Sequence, residues 1–173
     1  MLNIKKIVVC ASTLALAGGI LAGCGSNEAA SSASSSAAGS AAEQQATPEV
    51  KEIEMKKISP ADVEAQLGND EYLIVDVRKA ADYEAGHIPG AISADMDAAK
   101  DGDNASGIAN MKAAMQDATA TDNGGDKKIV LVCYSGNRYA QAATNILGAL
   151  GANMDNVTTL EGGMKAWTGA TEQ

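Results

Sequence analysis

The sequence predicts an α/β protein built on a central, mostly parallel sheet with helices on both faces. Three observations predict it. Strand-like apolar runs alternate with helical stretches from Met55 onward. The strongest runs, "YLIVDVR" (72–78) and "IVLVC" (129–133), are short and rich in β-branched residues, as strands buried on both faces are. Each is followed by a segment of helical size, which is the spacing of β-α units. A length of 173 residues allows one such domain and some extra chain.

The extra chain lies at the start. Residues 1–23 read as an export signal, with Lys5 and Lys6 before an apolar run from Ile7 to Leu21. That run is too short for a comfortable membrane span, which needs roughly 20 apolar residues. It ends in "LAGC", Leu21 to Cys24, which resembles the lipobox of bacterial lipoproteins. The resemblance implies that Cys24 receives a diacylglyceryl thioether and becomes the new N-terminus. An ordinary cleaved signal with a chance cysteine is the plainer alternative. Residues 24–50 are rich in Ser and Ala, with no large apolar side chain before Val50. Such a segment buries too little surface to offset its ordering entropy, so it is expected to be a disordered tether reaching about 25–30 Å on average. The domain proper is expected over residues 51–173, with its core at about 57–170.

Without Lys5 and Lys6 the chain keeps 11 basic against 22 acidic side chains, a net charge of −11. That excludes nucleic acid as a partner and basic-patch binding to membranes, and it means that any anion site must be made locally. Cys10 leaves with the signal and Cys24 is assigned to lipid, so Cys133 is the only free thiol left and no internal disulfide can form. No metal-ligand pattern and no cofactor motif stands out.

In chain order, "SPADVEAQL" offers Ser59 as a helix N-cap, Pro60 at the first helical position and Asp62 three residues after the cap. The strand 72–78 follows, then a short helix "KAADYEAG" stopped by Gly86, a turn "HIPG" and a brief strand "AIS". Residues 95–107 are polar and turn-rich; their aspartates lack the spacing of a calcium loop and predict a solvated loop. "IANMKAAMQDA" predicts a helix whose core stripe is Met111, Ala114, Met115 and Ala118. After the strand 129–133, Tyr139, Ala142, Ala143, Ile146, Leu147 and Leu150 mark one face of a long helix. "NVTTL" predicts a last strand and "GGMKAWTGA" a last short helix, with Trp167 as a core anchor.

The candidate chemistry sits where the strand 129–133 turns into that long helix, since ligands of such sheets bind at the carboxyl ends of strands. Cys133 closes the strand, and Tyr134, Ser135, Gly136, Asn137 and Arg138 must make a tight turn. Gly136 permits backbone geometry that other residues resist. Successive N–H groups in such a turn form an anion-binding nest, reinforced by the positive helix end. The thiolate is the nucleophilic form of cysteine, and that setting favours it. The plainer reading is a small apolar filler at a strand end. His87 is the only histidine, and nothing local marks it as a base for Cys133; it reads as a turn residue with a structural hydrogen bond.

At these residues the chain resembles the rhodanese family of sulfurtransferases, over roughly residues 57–170. "LIVDVRKAADYEAGHIPGAIS" resembles the family's first signature, with Asp76 and Arg78; "IVLVCYSGNRYA" resembles its active-site loop, and "LEGGMKAW" its C-terminal signature. The resemblance implies a single rhodanese-like domain in which Cys133 takes the outer sulfur of a donor such as thiosulfate and becomes a persulfide. The amides of Tyr134 to Arg138 would hold it, Arg138 would help bind the anionic donor, and Asp76 and Arg78 would support the loop. A thiol or cyanide would accept the sulfur, with no cofactor. Tyr139 departs from the small or hydroxyl residue frequent at that position; it either lines the pocket mouth or begins the buried helical stripe. The loop interior carries no cation and the body is acidic, so a persulfide or polysulfide is expected to serve better than thiosulfate.

Two other readings remain: a rhodanese-like module that carries sulfur or binds a partner without turnover, and a cysteine phosphatase. Phosphatases use C-x5-R, large enough for a tetrahedral phosphate, whereas Cys133 to Arg138 is C-x4-R. The expectation is a monomer anchored outside the cytoplasm by its N-terminal lipid. Gly25 after Cys24 lacks the aspartate that resembles an inner-membrane retention signal, which leaves an outer membrane or the outer face of a single membrane.

Overall fold

The computed structural model describes residues 47–173; the export signal, Cys24 and nearly all of the tether fall outside them. Five strands form one sheet in the order β1-β5-β4-β2-β3, and every pairing is parallel. They are β1 (Lys57–Ile58), β2 (Tyr72–Asp76), β3 (Ile92–Ser93), β4 (Lys128–Val132) and β5 (Val157–Leu160). The expected mostly parallel sheet is thus wholly parallel among the described residues. β4 is central, and its register against β2 runs from Tyr72↔Lys128 to Asp76↔Val132.

Alternation along β2 and β4 feeds two apolar layers. On one face Val75, Ile129, Leu131 and Cys133 pack with Met111, Met115, Ala143, Ile146 and Leu147 of α3 (Asn104–Thr119) and α4 (Arg138–Ala149). On the other, Ile74, Val130, Val132 and Leu160 pack with Val63, Ile88 and Trp167. That second layer includes α1 (Pro60–Glu64), with Tyr83 of α2 (Ala80–Ala85) packed against its edge. Each fully buried aliphatic side chain stabilises the fold by about 1.5–3 kcal/mol, so this double layer is the main source of stability.

The predicted local signals hold where they are strong. Ser59 caps α1, its hydroxyl accepting from the Asp62 amide at 3.2 Å. Gly86 ends α2. Trp167 is 9% exposed and donates its indole N–H to the Ala170 carbonyl.

Three expectations are corrected, and the α4 stripe is extended. The segment 95–107 is not a solvated loop: Met96 and Ala99 are buried under α3 and α4, a 3-10 turn spans Ala99–Asp101, and α3 starts at Asn104, capped by Asp103. The α3 stripe is Ile108, Met111 and Met115, with Ala114 packed against the same cluster and Gly107 where Ala99 and Ile146 approach; Ala118 is exposed. The α4 stripe stands, with Ala143, Ile146 and Leu147 buried and Tyr139, Ala142 and Leu150 packed against the same cluster; Ala140 and Thr144 are buried beside it. The last helix is a single 3-10 turn, Gly163–Lys165. Strand β1, two residues long, carries no periodic signal and forms only because β5 pairs with it. Among the described residues no helix is long and apolar enough to cross a membrane.

Candidate active site

Cys133 is the first residue beyond the central strand, and α4 begins five residues later. The predicted loop residues, Tyr134 to Arg138, therefore bridge the carboxyl end of β4 and the amino end of a 12-residue helix. Gly136 adopts φ +69°, and its amide N–H donates to Cys133 Sγ at 3.2 Å. Asn137 occupies the N-cap position of α4 but makes no side-chain cap hydrogen bond. The first-turn amides of α4 are then without a capping partner, in the position that binds anions at helix ends. Cys133 is 1% exposed, so its sulfur is screened from bulk water and the dipoles around it act at low dielectric.

The loop is held from behind by the turn after β5. Met164 and Lys165 donate their amides to the carbonyls of Cys133 and Tyr134, at 2.7 and 3.1 Å. Gly163 makes this approach possible. It sits at φ +60°, and a Cβ there would lie 2.3 Å from the Cys133 carbonyl oxygen and 2.6 Å from the Ser135 nitrogen. Gly136 is equally committed, since a Cβ on it would lie 2.7 Å from the Leu160 carbonyl oxygen. These contacts give "LEGGMKAW" a physical role: the turn is the floor of the cysteine loop.

On the β2 side, Asp76 and Arg78 form a closed buried unit. Arg78 donates Nη2 to Asp76 Oδ2 at 2.6 Å, Nε to both carboxylate oxygens at 3.0 Å, and its own amide to Oδ1 at 3.0 Å. Nη2 also donates to the Gly86 carbonyl at 2.7 Å, and the guanidinium lies 5.9 Å from the centroid of the Tyr134 ring. Burial opposes the charge on Arg78, but the bonds from Asp76 outweigh it and hold the guanidinium above its ordinary range. The two residues touch the loop through Tyr134 and do not reach the sulfur by hydrogen bonds.

Arg138 points another way. Its side chain is 72% exposed, and Nη2 donates to Asp101 Oδ1 at 3.0 Å. Tyr139 lies at the rim: its hydroxyl donates to Asp97 Oδ1 at 2.5 Å and its ring meets Tyr134 edge-on at 5.1 Å. Burial and then the Asp97 carboxylate push the Tyr139 phenol well above its ordinary range. The Tyr134 hydroxyl donates to Asp82, and burial followed by that bond raises it too. Both tyrosines are proton donors fixed on carboxylates, not candidate bases.

His87 is bound elsewhere. Its ring stacks on Tyr83 at 3.8 Å and 15°, Nδ1 lies 2.9 Å from the Tyr83 carbonyl, and its backbone bridges Glu172. It serves the fold, as the turn reading expects. A cleft of about 1020 Å³ opens at the amino ends of β2 and β4, lined by Glu71, Gln116, Lys127 and Lys128 among others. It contains no cysteine or histidine and is remote from the chemistry at the other end of the sheet, so it has no part in the site. Among the described residues no group of three or more His, Cys, Asp or Glu side chains is placed to hold a metal.

Several residues around the loop escape sequence reasoning. Gly163, Asp97 and Asp101 are one group. Lys57 of β1 is another; its ammonium donates to the Gly136 carbonyl. Because a trans peptide sets C=O and N–H antiparallel, this bond turns the Asn137 amide away from Lys57. The only sequence signal was the paired glycine in "LEGG"; the others lie 32 or more residues from the loop they serve.

Comparison with known proteins identifies the family and the fold. The family model described as the rhodanese-like domain matches residues 59–170. The thiosulfate sulfurtransferase GlpE of Pseudoalteromonas translucida (strain TAC 125) is 30% identical over 115 residues, which is 66% of this chain and 90% of that protein. GlpE of Pseudomonas savastanoi pv. phaseolicola is 29% identical over 114 residues, 66% of this chain and 88% of that protein. Among solved structures, a Bacillus halodurans protein superposes with a TM-score of 0.51 at 24% identity, covering 68% of this chain and 76% of that one. That likeness bears on the fold alone.

Proposed function

The chain belongs to the rhodanese-like domain family, and from that premise we propose that it is a sulfurtransferase tethered to a membrane outside the cytoplasm by lipid on Cys24. The observation that carries the reading is the Gly136 amide on Cys133 Sγ at 3.2 Å, beside an uncapped helix N-terminus. A nucleophile in that position is supplied with donors for the negative charge it bears before and after it acquires sulfur.

The Cys133 thiolate attacks the outer sulfur of a sulfane donor. A new S–S bond forms to Cys133, the donor's S–S bond breaks, and its electron pair leaves with the remaining fragment, sulfite in the case of thiosulfate. The persulfide anion stays in the cradle of Tyr134, Ser135, Gly136, Asn137 and Arg138 amides. A thiolate or cyanide then attacks the outer sulfur and restores the Cys133 thiolate. Arg138 is assigned to the donor anion, and Asp76 with Arg78 to the support of the loop through Tyr134. The donor and acceptor are small molecules, and the working form is a monomer.

The test compares the full chain with Cys133→Ser, each given thiosulfate or a polysulfide with cyanide. Thiocyanate should form, and intact mass should show an adduct of about 32 Da, one persulfide sulfur, that the variant cannot carry. An adduct without turnover would identify a sulfur carrier whose acceptor is missing. Hydrolysis of a phosphate ester without any adduct would sink the sulfur-transfer reading.

A further inference from the structure

The cations beside the cysteine loop are already engaged. Arg138 Nη2 is 3.0 Å from Asp101 Oδ1. Lys100 Nζ donates to Asp101 Oδ2 and lies 3.2 Å from Asp97 Oδ1. Lys79 Nζ is 3.5 Å from Asp97 Oδ2. Asp82, which receives the Tyr134 hydroxyl, adds another carboxylate on the same side. Lys79, Lys100 and Arg138 thus face Asp82, Asp97 and Asp101, with Asp95 accepting the Ala80 amide beside them at 3.2 Å. Both Asp97 and Asp101 are held below the ordinary carboxylate range, Asp97 chiefly by the Tyr139 hydroxyl and Asp101 chiefly by Lys100, so they stay charged throughout the neutral range.

We infer that Asp101 is a specificity-determining residue: by holding the Arg138 guanidinium through Nη2, it shifts the site away from the thiosulfate dianion and toward singly charged sulfane donors, such as thiosulfonates and organic persulfides. The inference rests on the sulfur-transfer reading of Cys133. A donor can use Arg138 only by displacing Asp101 or by sharing the guanidinium with it. Coulomb energy is proportional to charge, so a dianion is repelled by Asp101 twice as strongly as a monoanion at the same place. The Arg138–Asp101 pair is exposed, 72% and 57% by side chain, so the effect is moderate and screened by salt.

Methanethiosulfonate isolates the variable. It carries one negative charge and the same transferable sulfur, and methanesulfinate leaves with the electron pair where sulfite leaves from thiosulfate. The full chain, Asp101→Asn and Asp101→Glu are assayed with each donor and cyanide as acceptor, with the Cys133 adduct followed by intact mass. In Asp101→Asn the KM for thiosulfate should fall roughly two- to fivefold, and that for methanethiosulfonate only by about the square root of that factor. The kcat values should be unchanged, Asp101→Glu should restore the original ratio, and the selectivity should fade at about 0.5 M salt. Equal changes for both donors, or none, in a chain that forms the adduct would overturn this inference alone. No adduct on Cys133 with either donor would overturn the sulfur-transfer reading and this inference with it.

Discussion

The two sides of the cysteine loop are built to different standards. Behind it, Asp76 is fully buried and Arg78 is 7% exposed, and Gly163 packs a turn against the loop backbone with no room for one more carbon. In front, Arg138, Asp97, Asp101 and Lys79 form pairs largely open to solvent. Removing one partner of a buried pair leaves a charge without compensation, whereas an exposed pair trades one set of solvated contacts for another. The back of the loop therefore decides whether the cradle exists. The front carries the charges that, in the sulfur-transfer reading, an approaching anion meets.

The largest break is expected at Asp76→Ala. It leaves the Arg78 guanidinium buried without its carboxylate and should cost about 3–5 kcal/mol in urea unfolding, a large part of the roughly 5–15 kcal/mol that a domain has. A loss below about 1 kcal/mol would show that water or Gly86 replaces the carboxylate and that the back of the loop is less rigid than its hydrogen bonds suggest.

Gly163→Ala should come next. It adds a clash with loop backbone to an unfavourable φ, for about 2–3 kcal/mol of stability and a loss of Cys133 reactivity. Gly90→Ala separates the two causes: it has a similar φ of +76°, but no atom within 4 Å of the new Cβ. It should cost about 1 kcal/mol and leave the chemistry intact. Equal effects at the two glycines would mean that packing behind the loop is slack.

The smallest effect belongs to the front. Tyr139→Phe removes the hydroxyl that does most to depress the Asp97 carboxyl. A depressed folded-state pKa contributes stability that is fully present above the unfolded value and lost as pH falls through the folded one. The wild-type chain should thus keep a Tm advantage of a few degrees at most, constant at neutral pH and shrinking as pH drops below the ordinary carboxylate value of 3.8. An advantage that is unchanged at pH 3 would show that the hydroxyl stabilises the fold independently of the charge on Asp97.

Strands β2, β4 and β5 and the long helix α4 were legible because each signal is contained in its own segment, as an apolar run or a stripe of period 3.6. So was the loop from Cys133 to Arg138, with Asp76 and Arg78 two residues apart at the end of the neighbouring strand. Strand β1 was not, since Lys57 and Ile58 have no pattern until Thr159 and Leu160 lie beside them. The burial of Met96 and Ala99 was hidden in a polar stretch for the same reason: α3 and α4 supply the cover. Ala118 failed in the opposite sense, being periodic with the core residues but past the point where α3 has anything to pack against.

By itself, then, the sequence determined the order of strands β2, β4 and β5 and of helix α4, the place of Cys133 at a strand end and the glycine-bearing turn that follows it, because those depend on residues within a few positions of one another. Only the tertiary structure decided that Gly163 floors the loop, that Lys57 reaches the Gly136 carbonyl, and that Asp101 stands on Arg138. Those contacts join segments 27 to 79 residues apart. No local pattern encodes such a meeting, which exists only once a parallel sheet has brought the carboxyl ends of its strands to one edge.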